Sequence, residues 1–84
     1  MTDAVVVYGS SWCGFTQRLL YQLEELGVAF RYVDIDENPE AQKRIADWNN
    51  GQVVRPTLDL HGDIFFNPAP ASLLHELASR GLLG

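Results

Sequence analysis

The chain has very little cysteine: Cys13 is the only one among its 84 residues. A disulfide within the chain is therefore excluded, whereas secreted domains of this size usually depend on several. We expect a cytoplasmic protein for this reason, and because the N-terminus has neither the basic nor the apolar stretch of a signal peptide. Residues 1–84 are expected to form one domain, since this length leaves no room for a second core.

Basic residues and long apolar runs are also scarce. Six lysines and arginines stand against eleven aspartates and glutamates, giving a formal net charge of −5, and the basic residues are scattered along the chain. Nucleic acid is not an expected partner, because binding its phosphates requires a basic face. The longest apolar run, residues 4–8, is too short to cross a bilayer, so no membrane is expected as a partner either.

Hydrophobic residues are plentiful, at 46% of the chain, and their spacing predicts the secondary structure. Residues 4–8 predict a strand buried on both faces, and helical spacing from Phe15 predicts a helix over roughly residues 13–26, ended by Gly27. A second strand is predicted over residues 28–35. Asn38 and Pro39 then predict the cap and first position of a second helix, which ends near residues 50–51.

The last third of the chain predicts a hairpin followed by a helix. Two short strands flank a turn at residues 61–63, and Pro56 opens the first of them because it need not donate a hydrogen bond there. The final helix has its apolar stripe at Leu73, Leu74, Leu77 and Ala78 and is closed by Gly81. The order βαβαββα predicts an α/β fold with a right-handed parallel crossover.

Cys13 lies where the first predicted strand passes into the first helix, the edge at which open α/β sheets bind ligands. Unpaired N–H groups and the helix dipole favour a thiolate there, and such cysteines have pKa values of about 3.5–7.5, against ~8.5 for a free one. Thr16, one turn further on, can donate a hydrogen bond to the sulfur but cannot attack a disulfide. Cys13 is therefore predicted to act by a monothiol mechanism.

A lone cysteine in a small domain is more often a buried small hydrophobic residue than a nucleophile. Two features favour the reactive interpretation. Ser10 and Ser11 are typical of a loop surface, and a tryptophan such as Trp12 is costly to expose unless it lines a groove.

The segment containing Arg55 and Pro56 leaves two interpretations open. A cis proline would leave the preceding backbone free to pair with a peptide-like ligand, and Arg55 would then pair with a ligand carboxylate. An ordinary trans proline on an edge strand would leave Arg55 as a solvated side chain.

Four segments together resemble the glutaredoxin family, most closely its short mycoredoxin-like branch: Tyr8–Phe15, Val33–Asp36, Arg55–Thr57 and Asn67–Pro68. The resemblance implies a thioredoxin fold with a four-stranded mixed sheet flanked by three helices. It implies that Cys13 is the nucleophile and Pro56 a cis proline beside it. The groove for a small thiol is expected to be lined by Ser11, Trp12, Phe15, Arg55, Pro56, Thr57 and Asn67.

Members of this family reduce mixed disulfides between proteins and glutathione or mycothiol. The resemblance therefore implies a small thiol as cosubstrate, S-thiolated or oxidised proteins as partners, no tightly bound cofactor and a monomer. Two positions depart from the family pattern. Thr16 stands where dithiol members carry the resolving cysteine, and Arg55 where most carry a small apolar residue, which leaves the identity of the small thiol open.

Two other functions compete with this one. Residues 13–16 also resemble the Cys-Gly-Phe-Ser motif of glutaredoxins that carry an iron–sulfur cluster across a dimer, although the lysine before the cysteine and the extra loop of that branch are missing. Alternatively, the chain is an interaction module, in which case Cys13 would react no faster than a free thiol.

No metal site is predicted. Asp34, Asp36 and Asn38 have the spacing of a calcium loop, but Pro39 and Ile45 occupy its glycine and glutamate positions. Asp36 and Asn38 are instead predicted to cap the second helix. His61 and His75 are single residues without neighbouring ligands.

Overall fold

The computed structural model describes residues 4–83, and within them the predicted four-stranded mixed sheet and three α-helices are confirmed. The elements are β1 (Val5–Gly9), α1 (Gly14–Glu25), β2 (Arg31–Asp34), a 3-10 turn (Ile35–Glu37), α2 (Pro39–Trp48), β3 (Thr57–Leu60), β4 (Asp63–Phe66) and α3 (Pro70–Ser79). The sheet order is β2-β1-β3-β4. β1 runs parallel to β2 and antiparallel to β3, and β4 runs antiparallel to β3.

β1 is a central strand, and its alternate side chains face two separate cores. Val5 and Val7 pack with the buried leucines of α1 and α3 on one face of the sheet. Tyr8 packs with the buried residues of α2 on the other face, and Val6 lies against the same cluster. Helices on both faces explain why this strand is a continuous apolar run.

The connection from β2 to α2 differs from the prediction. β2 covers residues 31–34 only, because the chain turns into the 3-10 turn at the fully buried Ile35. Asn38 caps α2 as predicted, its side chain accepting from the N–H of Ala41 at 3.1 Å, with Pro39 in the first turn. The predicted cap at Asp36 is wrong, since Asp34 accepts from the backbone N–H of Asp36 and the Asp36 side chain points elsewhere.

The apolar stripe of α3 is narrower than predicted. Leu73 and Leu77 are fully buried, whereas Leu74 and Ala78 are exposed, because a helix lying on one face of a sheet buries mainly its i, i+4 line. Gly81 follows with a φ of +69°, as a glycine closing a helix should. No helix among residues 4–83 is long and apolar enough to cross a membrane.

The end of β1 makes a close approach to the first turn of α1. A Cβ placed on Gly9 would lie 2.5 Å from Cγ2 and 2.6 Å from Oγ1 of the buried Thr16. Only glycine fits this position without moving the helix. The approach fixes the start of α1 against the end of β1, and so fixes the loop between them.

We expect Gly9→Ala to destabilise the fold by about 1–3 kcal/mol, the usual cost of overpacking a filled core. Gly14→Ala is the matched control, because a Cβ there meets nothing within 4 Å and alanine favours a helix. Urea unfolding of both variants provides the measurement. Equal unfolding free energies for the two variants would contradict the close approach.

Candidate active site

Cys13 is the residue at which the chain passes from extended backbone into α1, with φ −87° and ψ 119°. Its N–H donates to the Ser10 carbonyl at 3.0 Å, and its own carbonyl accepts from the N–H of Gln17 at 3.1 Å. The thiol is partly exposed. The first turn of α1 has no acidic side chain, so no carboxylate there competes with the sulfur for the positive end of the helix dipole.

The pKa of the Cys13 thiol lies below its ordinary value. Burial acts in the opposite direction, because desolvation penalises the thiolate, but the other influences outweigh it. They are hydrogen bonding from the backbone N–H groups of Thr16 and Phe15, hydrogen bonding from the Thr16 hydroxyl, and the positive charge of Arg55. The thiolate is therefore stabilised mainly by groups at the start of the helix.

Thr16 and Ser10 form the buried support of this turn. Both side chains are fully buried, and the Thr16 hydroxyl oxygen accepts from the N–H of Ser10 at 3.4 Å. The prediction of Ser10 as a loop-surface residue is wrong, because the end of β1 carries it under the helix start. Its hydroxyl instead accepts from Nε of Arg55 at 2.7 Å.

Arg55 is held by the chain itself, which neither sequence interpretation anticipated. Its Nη2 donates to Oδ1 of Asp36 at 3.3 Å, and its guanidinium lies 5.3 Å from the centre of the Trp12 ring. The Trp12 indole N–H donates to Oδ2 of the same carboxylate at 2.7 Å. Trp12 nevertheless remains 68% exposed.

The Arg55–Pro56 peptide bond is cis, the isomer that the first of the two sequence interpretations requires. The Arg55 carbonyl faces Cys13, with 3.9 Å between its oxygen and the sulfur. Pro56 is buried, and its carbonyl accepts from the N–H of Asn67 at 2.8 Å. The segment before β3 therefore lines the site together with the start of α1.

The side chains of the remaining predicted residues lie around this centre. Phe15 is 53% exposed beside Cys13, with the Arg18 guanidinium 5.2 Å from its ring centre. Ser11 is exposed, and its carbonyl accepts from the side chain of Gln17. The side chain of Thr57 is fully buried and donates to the Val54 carbonyl at 2.9 Å, so it does not face a surface groove.

Asp36 is the site residue that sequence reasoning missed. The signal was present, because β1 and β2 are parallel and the carboxyl ends of parallel strands meet at one edge of the sheet. Asp36 follows β2 as Cys13 follows β1. Across residues 4–83, no three histidine, cysteine, aspartate or glutamate side chains are grouped so as to hold a metal ion.

Comparison with known proteins finds a matching family and similar relatives. The glutaredoxin family model matches residues 5–65. A Mycobacterium tuberculosis protein named as a glutaredoxin is 33% identical over 70 residues, which cover 82% of this chain and 83% of the relative.

Among solved structures, a glutaredoxin from Archaeoglobus fulgidus superimposes with a TM-score of 0.78 at 22% identity, covering 88% of this chain and 85% of that one. A buckwheat glutaredoxin–glutathione complex superimposes with a TM-score of 0.71 at 19% identity, covering 95% and 73%.

We expect Thr16→Val to raise the pKa of Cys13 by about 0.5–1 pH unit, because valine keeps the shape of threonine but removes the hydroxyl that stabilises the thiolate. The pH dependence of alkylation by iodoacetamide gives the pKa. Thr16→Ser keeps the hydroxyl and should leave the midpoint near that of the parent chain. If the valine and serine variants share one midpoint, the hydroxyl has no part in stabilising the thiolate.

Proposed function

We propose, from the premise that this chain belongs to the glutaredoxin family of thiol–disulfide oxidoreductases, that it reduces mixed disulfides between proteins and a small thiol by a monothiol mechanism. The observation that carries the proposal is the setting of Cys13. It is the chain's only thiol, it is partly exposed at the start of α1, and the position one turn further on is a buried threonine.

The proposed reaction has two exchanges. The Cys13 thiolate attacks the small-thiol sulfur of the mixed disulfide, so that a new disulfide joins Cys13 to the small thiol and the protein sulfur leaves as a thiolate that takes up a proton. A second small thiol, as thiolate, then attacks the small-thiol sulfur bound to Cys13. The two small thiols leave as their disulfide and Cys13 is again a thiolate, so electrons and atoms balance.

The backbone before Pro56 supports binding of the small thiol. The Arg55 carbonyl lies 3.9 Å from the sulfur to which that thiol would be joined. Within the described part of the chain, the Arg55 N–H has no acceptor. This pair of backbone groups suits an amide-containing ligand in an extended conformation, which would pair with the segment just before β3.

Two exposed aromatic side chains, Trp12 and Phe15, flank Cys13 and offer apolar contact to the ligand or to the thiolated protein. Glutathione and mycothiol both remain candidates for the small thiol. The buckwheat relative was solved with glutathione, and the mycoredoxin-like resemblance favours mycothiol. Because Arg55 already pairs with Asp36, a ligand carboxylate would have to compete with Asp36 for it.

The iron–sulfur alternative stays a prediction, as does the monomeric state. Carrying an iron–sulfur cluster would require two chains and two small thiols, which together supply four thiolates. In the proposed exchange reaction one chain and one thiolate suffice.

We expect Cys13→Ser to lose all turnover of an S-thiolated peptide, since it removes the only sulfur nucleophile. The matched control is Cys13→Ser combined with Ser79→Cys, which restores one thiol at the exposed C-terminal end of α3. A helix C-terminus disfavours a thiolate, so this variant should also be inactive.

Mass spectrometry of the parent chain after a single exchange completes the test. It should find the small thiol, and not the peptide, joined to Cys13. The proposed mechanism would be contradicted by turnover in the variant that combines Cys13→Ser with Ser79→Cys. It would also be contradicted if the main product were Cys13 joined to the peptide.

A further inference from the structure

The carboxylate of Asp36 holds two side chains at once, one with each oxygen. Oδ2 accepts from the Trp12 indole N–H at 2.7 Å, and Oδ1 accepts from Nη2 of Arg55 at 3.3 Å. Arg55 is also fixed by Ser10, whose hydroxyl accepts from Nε at 2.7 Å, and by the Trp12 ring, 5.3 Å from the guanidinium. Both oxygens of the carboxylate therefore have a partner within this cluster, as do Nε and Nη2 of Arg55.

These contacts join three segments that are far apart in sequence. Trp12 precedes Asp36 by 24 residues and Arg55 follows it by 19. Asp36 itself is firmly placed, because it lies in a 3-10 turn that is anchored by the fully buried Ile35 and capped by Asp34. The Asp36 carboxylate thus fixes the loop that carries Trp12 and the segment that carries Arg55 relative to each other.

We propose that Asp36 is a positioning residue of the thiol-exchange site, which holds the Trp12 indole and the Arg55 guanidinium beside Cys13 and offsets part of the Arg55 charge. This role goes beyond the proposed function. Only its consequence for the rate of thiol exchange rests on that function. Asp36 does not contact the sulfur, so it acts through Arg55 and Trp12.

The charge balance around Cys13 gives the sign of the effect. Arg55 lowers the pKa of Cys13, whereas Asp36 neutralises Arg55. Partial desolvation acts to raise the pKa of Asp36, but hydrogen bonds from Trp12, Ser10 and Arg55 and the Arg55 charge lower it overall, so Asp36 is ionised at neutral pH.

Two other titratable side chains lie in this region, Asp34, whose carboxylate accepts from the Asp36 N–H, and Tyr32 on β2. Burial and the negative charges of Asp34, Asp36 and Cys13 raise the pKa of Tyr32, so Tyr32 stays neutral at neutral pH. The Arg55–Asp36 pair is therefore the charged element that adjusts the stabilisation of the thiolate, most of which comes from the start of α1. A more stabilised thiolate is also a weaker nucleophile, so moderating the Arg55 charge keeps the sulfur reactive.

The test is the pH midpoint of Cys13 alkylation in Asp36→Asn. Removing the carboxylate charge while keeping its shape should lower that midpoint by about 0.2–0.7 pH units, the range that corresponds to a single exposed ion pair. Arg55→Gln should move the midpoint in the opposite direction, upward, because it removes the positive charge that lowers the pKa of Cys13. Glu37→Gln is the matched control, since it removes a neighbouring exposed carboxylate and should leave the midpoint unchanged.

A second readout follows the positioning of Trp12. In ¹H–¹⁵N spectra the Trp12 indole N–H should shift and exchange faster with solvent in Asp36→Ala, while the Trp48 indole stays unchanged as an internal reference. Neither readout needs a small-thiol substrate, so failure of the exchange reaction would leave both standing. An unmoved Trp12 indole, or an Asp36→Asn midpoint that does not fall below that of the parent chain, would overturn the proposal.

Discussion

The site depends on the free backbone N–H groups at the start of α1, which face the sulfur of Cys13. Hydrogen bonds to a charged acceptor are among the stronger ones in proteins, and these cost no reorganisation because the helix already holds them in place. The rest of the structure keeps them there. β1 is locked between two cores, and Gly9 allows Thr16 to pack directly against the end of that strand.

The chain as a whole is acidic, which opposes the ionisation of Cys13. A net charge of −5 disfavours one more negative group, so the thiolate requires local stabilisation. It comes from the helix start and from Arg55, which Asp36 in turn restrains. Exposed pairs of this kind add little to folding stability, but beside a nucleophile the same modest energies change its protonation.

Much of the fold was predictable because its signals are local. The strand-to-helix change at Cys13, the cap at Asn38 and the closing glycine at Gly81 each depend on neighbouring residues only. The burial of Ser10 and the partners of Arg55 were not predictable in this way. They arise where three distant segments meet, and no spacing rule specifies which side chains will pair there.

Asp36 falls between these cases. Its place at the sheet edge follows from the parallel pairing of β1 and β2. Its side chain binds Trp12 and Arg55 and does not cap α2, and this depends on tertiary contacts.

The central claim is that folding stabilises the Cys13 thiolate. Its most direct test is a pH titration of thiolate ultraviolet absorbance in the folded protein and in the same protein unfolded in urea, which contains the same single thiol. The folded protein should titrate at a distinctly lower pH than the unfolded chain. A folded midpoint equal to or above the unfolded one would contradict the claim.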